Sequence, residues 1–252
     1  MEKYFDSLEP ITVLNRDGIE KTAEEKKKQV DSQIMDFIKG VKPDKDKEIY
    51  AYVLAMGDDR WGSNSNSDLF PYDQLNPHDT NEYGHETFLK AGLYNHHKNK
   101  NPKLSLGNIV MSIFNPIMHR VELIKRVDRQ LCKERDTCNI YDRLLDGELI
   151  PTSIGCRVSH DSCSVCHNKA KNKTEYCDHI KNSLGKIMPN GIKVMMINVK
   201  PVFFDDSFVT NPAFKPASVI SILEEKDGKN CLNGVCVVQV PKEFPSKPQK
   251  EE

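Results

Sequence analysis

Between Leu149 and His179 the chain reads LIPTSIGCRVSHDSCSVCHNKAKNKTEYCDH, a serine in a short Ser-Ile-Gly turn followed by four cysteines and three histidines. Two chemistries are within reach of such a set. Cys163-Ser-Val-Cys166 is a C-x2-C knuckle, and Cys177-Asp-His179 lies ten residues further on. Zinc takes four soft or borderline ligands in a tetrahedron, and a knuckle offers two of them from one tight turn. Cys163, Cys166, Cys177 and His179 therefore make a Cys3His set for one structural zinc, with Cys156, His160 and His167 as spare candidates for the fourth position. From Ser159 to Asp178 there are too few apolar residues to pack alone, so a metal is the expected source of order. Four protein ligands leave no open position, so this metal would brace the chain and not catalyse. The second chemistry is nucleophilic. A serine hydroxyl needs a base, a group that orients the base, and donors for the oxyanion. Ser153-Ile-Gly155 is not the Gly-x-Ser-x-Gly elbow, and the residues alone name no partner for Ser153.

The elements that must position these residues follow from periodicity. Thr22-Ala-Glu-Glu25 is a capping box, and Val30, Ile34, Phe37 and Ile38 recur at helical spacing up to Gly40. This helix belongs to an N-terminal extension, residues 1–45, and is expected to dock on its own domain. Ile49–Met56 has the composition of a buried strand. The polar loop after it carries Asn64, Asn66 and Asp68 at alternate positions, but it lacks the glycine and distal glutamate of a calcium loop. Those side chains are expected to turn the backbone instead. A short helix is predicted over Glu86–Tyr94, ending in Asn95-His96-His97. Strands are predicted over Gly107–Phe114 and His119–Asp128, and a helix over Asp136–Asp146. In the second of those strands Val121, Leu123 and Val127 alternate with Glu122, Ile124 and Arg126, which makes one face mostly apolar. Lys193–Val199, Val202–Val209 and Ser218–Leu223 follow as strands, and Asn233-Gly234 signals a hairpin. The closing PKEFPSKPQKEE reads as disordered. Strands outnumber helices, so the expected class is α+β, built on a β-sheet or small β-barrel with a few flanking helices.

Composition narrows the function classes. Among 252 residues the net charge is -1 with 29% charged, so no global field points to nucleic acid or to a membrane surface. Lys169, Lys171 and Lys173 near the knuckle read as a solvated loop and not as a nucleic-acid grip. No apolar run is long enough for a membrane span, and the acidic start MEKYFDSLEP does not read as a signal peptide. The eight cysteines are therefore expected to be reduced, with Cys132, Cys138, Cys231 and Cys236 as core or strand residues.

The order of five segments carries a resemblance. WGSNSNSDLFP, TFLKAGLYNHHKNKNPKLSLGNIV, HRVELIKRVDR, YDRLLDGELIPTSIGCRV and FFDDSFVTNPAFKPA together resemble the phage prohead (head maturation) serine proteases, whose fold is related to the herpesvirus assemblins. The likeness covers roughly residues 48–223, and the knuckle with YCDHI resembles an insertion in one branch of that family. It implies a herpesvirus-protease-like domain over 46–223, a zinc-knuckle insertion over 156–182, and a C-terminal hairpin and tail over 224–252. It also implies Ser153 as nucleophile, His97 as base with His96 as the neighbouring alternative, and Asp205 as the third member. The assemblins use a histidine in that third role, which is where this chain departs from them. The implied activity is an endopeptidase that cuts scaffold, core and major capsid proteins, and itself, inside the assembling prohead in the host cytoplasm. Homo-oligomerisation is left open. A virion or scaffold protein that keeps the fold and the zinc without activity is the alternative, and a zinc-knuckle nucleic-acid binder is a weaker one.

Overall fold

The apolar run of Ile49–Met56 becomes the centre of the molecule. In the computed structural model, which describes residues 22–238, the chain forms α1 (Ala23–Lys39), β1 (Glu48–Gly57), β2 (Asp68–Leu69), α2 (Tyr72–Leu75), β3 (Gly107–Asn115) and β4 (Arg120–Asp128). These are followed by α3 (Arg129–Glu134), α4 (Cys138–Leu145), β5 (Thr152–Arg157), β6 (His160–Cys163), β7 (Lys169–Ala170) and α5 (Asp178–Ser183). Strands β8 (Met196–Val199), β9 (Val202–Phe208), β10 (Ser218–Ile222), β11 (Glu224–Lys226), β12 (Lys229–Leu232) and β13 (Val235–Val238) complete the order. This is an α+β fold of several sheets with few helices. The expectations for the first ten residues and the closing segment lie outside the described residues. Among the described residues no helix is long and apolar enough to cross a membrane.

β1 sits between β10 and β4 in the sheet β10-β1-β4-β3, so both its edges are paired. Alternation sends Ile49, Ala51, Val53 and Ala55 into the main core, while Tyr52 faces a second cluster under α1. There Val30, Ile34 and Ile38 are buried, each contributing about 1.5–3 kcal/mol by leaving water. The capping box forms as expected: Glu25 N–H donates to Thr22 Oγ1, and the Glu25 carboxylate accepts from Thr22 N–H. Asn230 of β12 then donates to the carbonyls of Ile38 and Val41, which fastens the far end of the helix. The C-terminal segment is a three-stranded sheet, β11-β12-β13, and not a lone hairpin. Asn233 and Gly234 turn it at φ 49° and 79°, the two positive values that a tight hairpin needs.

β5 and β9 form a separate two-stranded ladder. Among the described residues no continuous ladder closes the strands into a barrel. Single bridges, Pro151 to Ser218 and Gly92 to Asn108, link the two-stranded and four-stranded sheets at either edge. Phe203 and Phe208 of β9 reach into the main core, where Phe203 stacks on Phe88 at 4.0 Å.

Three features differ from the expectations. Only His85–Lys90 is helical, as 3-10 turns; Gly92 and Asn95 then run beside Asp205 and Phe208 of β9 as an extended edge. Phe88 and Leu93, both buried, face the core from this segment, so the apolar spacing served a helical turn and a strand in succession. Helix α3, where no element was expected, starts as β4 ends, with Asp128 accepting from Leu131 N–H as its cap. Cys231 and Cys236 face each other across β12 and β13 as a disulfide, contrary to the expectation of reduced thiols; the other six cysteines are free. Directly opposed positions in an antiparallel pair bring the two Cβ atoms close enough for a bridge.

Candidate active site and metal centre

The pairing of β5 with β9 decides which side chains meet. Ser153 lies opposite Ser207, and Gly155 opposite Asp205. Opposed residues share a face, so Ser153, Asp205 and Ser207 lie on one side of the ladder. Ile154 and Asp206 are opposed on the other side, with Thr152 and Phe208. A Cβ at Gly155 would come within 3.1 Å of Asp205 Cβ and 3.3 Å of its Oδ2, so the glycine leaves room for the carboxylate.

His97 arrives from the neighbouring edge. Residues 91–96 run along β9, with His96 N–H donating to the Phe208 carbonyl. The chain then reverses through two residues at positive φ, His96 at 48° and His97 at 55°, with Lys98 N–H donating to the Asn95 carbonyl. Two successive left-handed residues that are not glycine are unusual, and they turn the His97 ring back onto β9. His97 Nδ1 lies 2.7 Å from Asp205 Oδ2, although the residue, like His96, is exposed. Asp205 is an acceptor, so Nδ1 carries the proton and Nε2 is left free to accept. The hydrogen bond to Asp205 raises the His97 pKa above its ordinary value of 6.5, against the desolvation that lowers it.

Asp205 is wholly buried and also accepts from Asn99 Nδ2 at 2.6 Å and from Ser207 Oγ at 2.6 Å. Asp206 points the other way, into the core, where Lys125 Nζ lies 2.7 Å from its Oδ2 and both side chains are 0% exposed. The contact is a close, fully buried ion pair. Desolvation pushes Asp206 up and Lys125 down, each opposed by the charge of the other. Lys125 lies on the same face of β4 as Leu123 and Val127, the face the sequence marks as apolar.

Ser153, only 8% exposed, and His97 border one cavity of 350 Å³, together with Met56, Phe70, Asp161 and Phe214. Among the described residues no hydrogen bond joins Ser153 to His97. In substrate-free sites such contacts commonly tighten only with substrate bound. The loop on the far wall turns as expected: Asn64 Oδ1 accepts from Asn66 N–H and Asp68 N–H.

The knuckle forms a second centre beside this cavity. The ligand atoms of Cys163, Cys166, Cys177 and His179 all lie within 4.8 Å of one another. A tetrahedral zinc with sulfur at about 2.3 Å sets its ligands about 3.8 Å apart, so a small contraction would seat an ion. Val165 N–H donates to Cys163 Sγ at 3.4 Å, which holds the knuckle in shape. Burial pushes the Cys177 thiol up, but the Ile180 N–H and the neighbouring Cys166, Cys163 and His179 outweigh it and bring it to about 7. A thiol that ionises near neutrality is a ready metal ligand. The donor set fits a metal ion. His160, His167 and Cys156 stand outside the cluster; Cys156 borders the Ser153 cavity instead.

The lobe around the knuckle runs past residue 182. Its sheet, β2-β8-β6-β7, takes in Met196–Val199, and a small core joins Cys163 to Ile180 and Val194. Metal centre and cavity share a wall: Tyr176, next to Cys177, donates to Asp161 Oδ2 at 2.6 Å, and Met196 pairs with Cys163. Tyr176, Asp161 and Met196 all line the cavity. Removing the metal ligand with Cys166→Ser should therefore release about one bound metal ion per chain and loosen that wall. Metal analysis and limited proteolysis would check it: cleavage within the knuckle lobe should speed up, while the β5–β9 ladder stays protected. A variant that keeps its metal, or a metal-free wild type with an unaltered cavity wall, would count against the site.

Sequence reasoning placed Ser207 on the face of Asp205 without giving it a role, and passed over Asn99 and Lys125. For Ser207 a signal existed, since Asp-x-Ser on a strand puts carboxylate and hydroxyl on one face. For Asn99 and Lys125 there was none, because both depend on contacts across the fold. No family model, curated protein or solved structure matches this chain.

Proposed function

We propose that the chain is a serine endopeptidase of phage prohead maturation, with a domain related to the herpesvirus assemblins. The observation that carries this reading is the His97–Asp205 pair, 2.7 Å apart, on the face of the β5–β9 ladder that also presents Ser153 to the cavity. An imidazole whose Nδ1–H is fixed by a buried carboxylate has the tautomer and orientation of a general base. In this reading His97 Nε2 takes the proton from Ser153 Oγ as the oxygen attacks the scissile carbonyl carbon. The tetrahedral intermediate collapses with cleavage of the C–N bond, and His97 returns the proton to the departing amine. Water, activated by the same imidazole, then hydrolyses the Ser153 ester.

The Cys3His centre would hold a structural zinc. Its four protein donors fill the tetrahedron, so its part is to fix the Tyr176–Met196 wall of the cavity. Substrates would be scaffold, core and major capsid proteins inside the assembling head in the host cytoplasm. The test is a serine-reactive fluorophosphonate. The label should appear on the peptide containing Ser153 and be lost in His97→Ala. A folded, metal-loaded protein that takes no label at Ser153 would sink the enzymatic reading.

A further inference from the structure

Four hydrogen-bonding groups close a ring around His97. Its own backbone N–H donates to Ser207 Oγ at 3.2 Å, and Ser207 Oγ–H donates to Asp205 Oδ1 at 2.6 Å. The other carboxylate oxygen, Oδ2, accepts His97 Nδ1–H at 2.7 Å and is shared with Asn99. One hydroxyl thus ties the main chain of His97 to the acid that binds its ring. Ser207 is 0% exposed, with one donor and one acceptor role engaged, so it is not a competing nucleophile.

The ring has a mechanical reason. His97 sits in the left-handed region at φ 55°, directly after His96 at 48°. Such a turn persists only where its surroundings over-determine it. The Ser207 bridge does this from below, on the strand that carries the acid. Without it, Asp205 Oδ1 would be buried with no donor, the carboxylate would be free to rotate, and the His97 N–H would lose its acceptor.

We infer that Ser207 is a positioning residue for the His97–Asp205 pair, holding both the turn that presents the imidazole and the rotamer of the acid. The inference rests on the serine-protease reading for its effect on rate, but the pair itself can be observed without any substrate. Besides Asp205, the charged or titratable groups around His97 are Asp206 with its partner Lys125 behind the ladder, Tyr94 on the adjoining edge, and Lys98 in the turn.

The experiment compares wild type with Ser207→Ala and the near-isosteric Ser207→Cys, whose thiol is a weak donor. The His97 imidazole is titrated by NMR, and kcat/KM is measured against pH. In both variants the His97 pKa should fall from its raised value towards 6.5, and the acid limb of the pH profile should move down with it. The pH-independent rate should drop about ten- to a hundredfold, the size of one lost hydrogen bond to a charged group. If the alanine variant does not fold, the cysteine variant decides. A folded variant with wild-type His97 titration overturns the inference, even if its rate falls, because a merely structural serine would leave that titration in place. Absence of label on wild-type Ser153 would instead overturn the enzymatic reading and leave the titration result to judge the ring.

Discussion

Ser153→Ala should abolish cleavage of a co-expressed scaffold or capsid substrate while leaving the chain folded and metal-loaded. In serine hydrolases loss of the nucleophile costs on the order of 10^6 in kcat, far beyond any effect expected from packing. The fold should tolerate the change, because β5 is held at this point by its backbone ladder to Ser207 and by Thr152 N–H donating to the Ala217 carbonyl. Wild-type rate should depend on pH in a stated direction. His97 must be neutral to accept a proton, and Asp205 raises its pKa above 6.5. Activity should therefore climb as pH rises through a midpoint above 6.5. Normal cutting by the alanine variant, or an acid limb well below pH 6.5, would mean that another group does this work.

Adjacent aspartates should give opposite phenotypes. Asp205→Asn should lower turnover on the order of 10^4-fold, since an amide in that place no longer enforces the Nδ1–H tautomer of His97. Its stability should change less than its rate. Asp206→Asn should do the reverse. It leaves Lys125 buried at 0% exposure with its counter-charge removed, a situation that costs about 3–5 kcal/mol. Chemical denaturation and steady-state kinetics on both variants would separate the two. A further arm is Lys125→Met with Asp206→Leu, which removes both charges and should recover most of the stability. If Asp205→Asn were silent and Asp206→Asn inactive but stable, the side-chain faces of β9 would be the wrong way round.

The comparison of sequence with structure turns on how local each signal is. The α1 helix could be read because its capping box and its stripe of Val30, Ile34 and Ile38 lie within one short stretch. β1 could be read from its unbroken apolar run, and the β12–β13 turn from Asn233-Gly234, since only a few residues adopt two positive φ values cheaply. The metal set was legible for a similar reason. A C-x2-C knuckle places two thiols together through one turn, and the structure gathers the expected Cys177 and His179 beside them while leaving the spare candidates outside. Segment 85–96 misled, because its apolar spacing suits a helix as well as a 3-10 turn followed by an edge strand. The edge wins through main-chain bonds to β9, more than a hundred residues away along the chain.

The candidate active site divides along the same line. By itself the sequence determined that an α+β chain carries a knuckle of zinc-ligand spacing, a pair of histidines and two aspartates on one strand; Ser153, expected in a Ser-Ile-Gly turn, lies instead inside β5, where its ladder to β9 holds it extended. Which aspartate meets which histidine was decided by the β5–β9 register and the left-handed turn at His96 and His97. The burial of Lys125 opposite Asp206 and the ring through Ser207 were decided there too. Each joins atoms from separate strands, and such distances come from sheet pairing and core packing, which no short window of sequence contains.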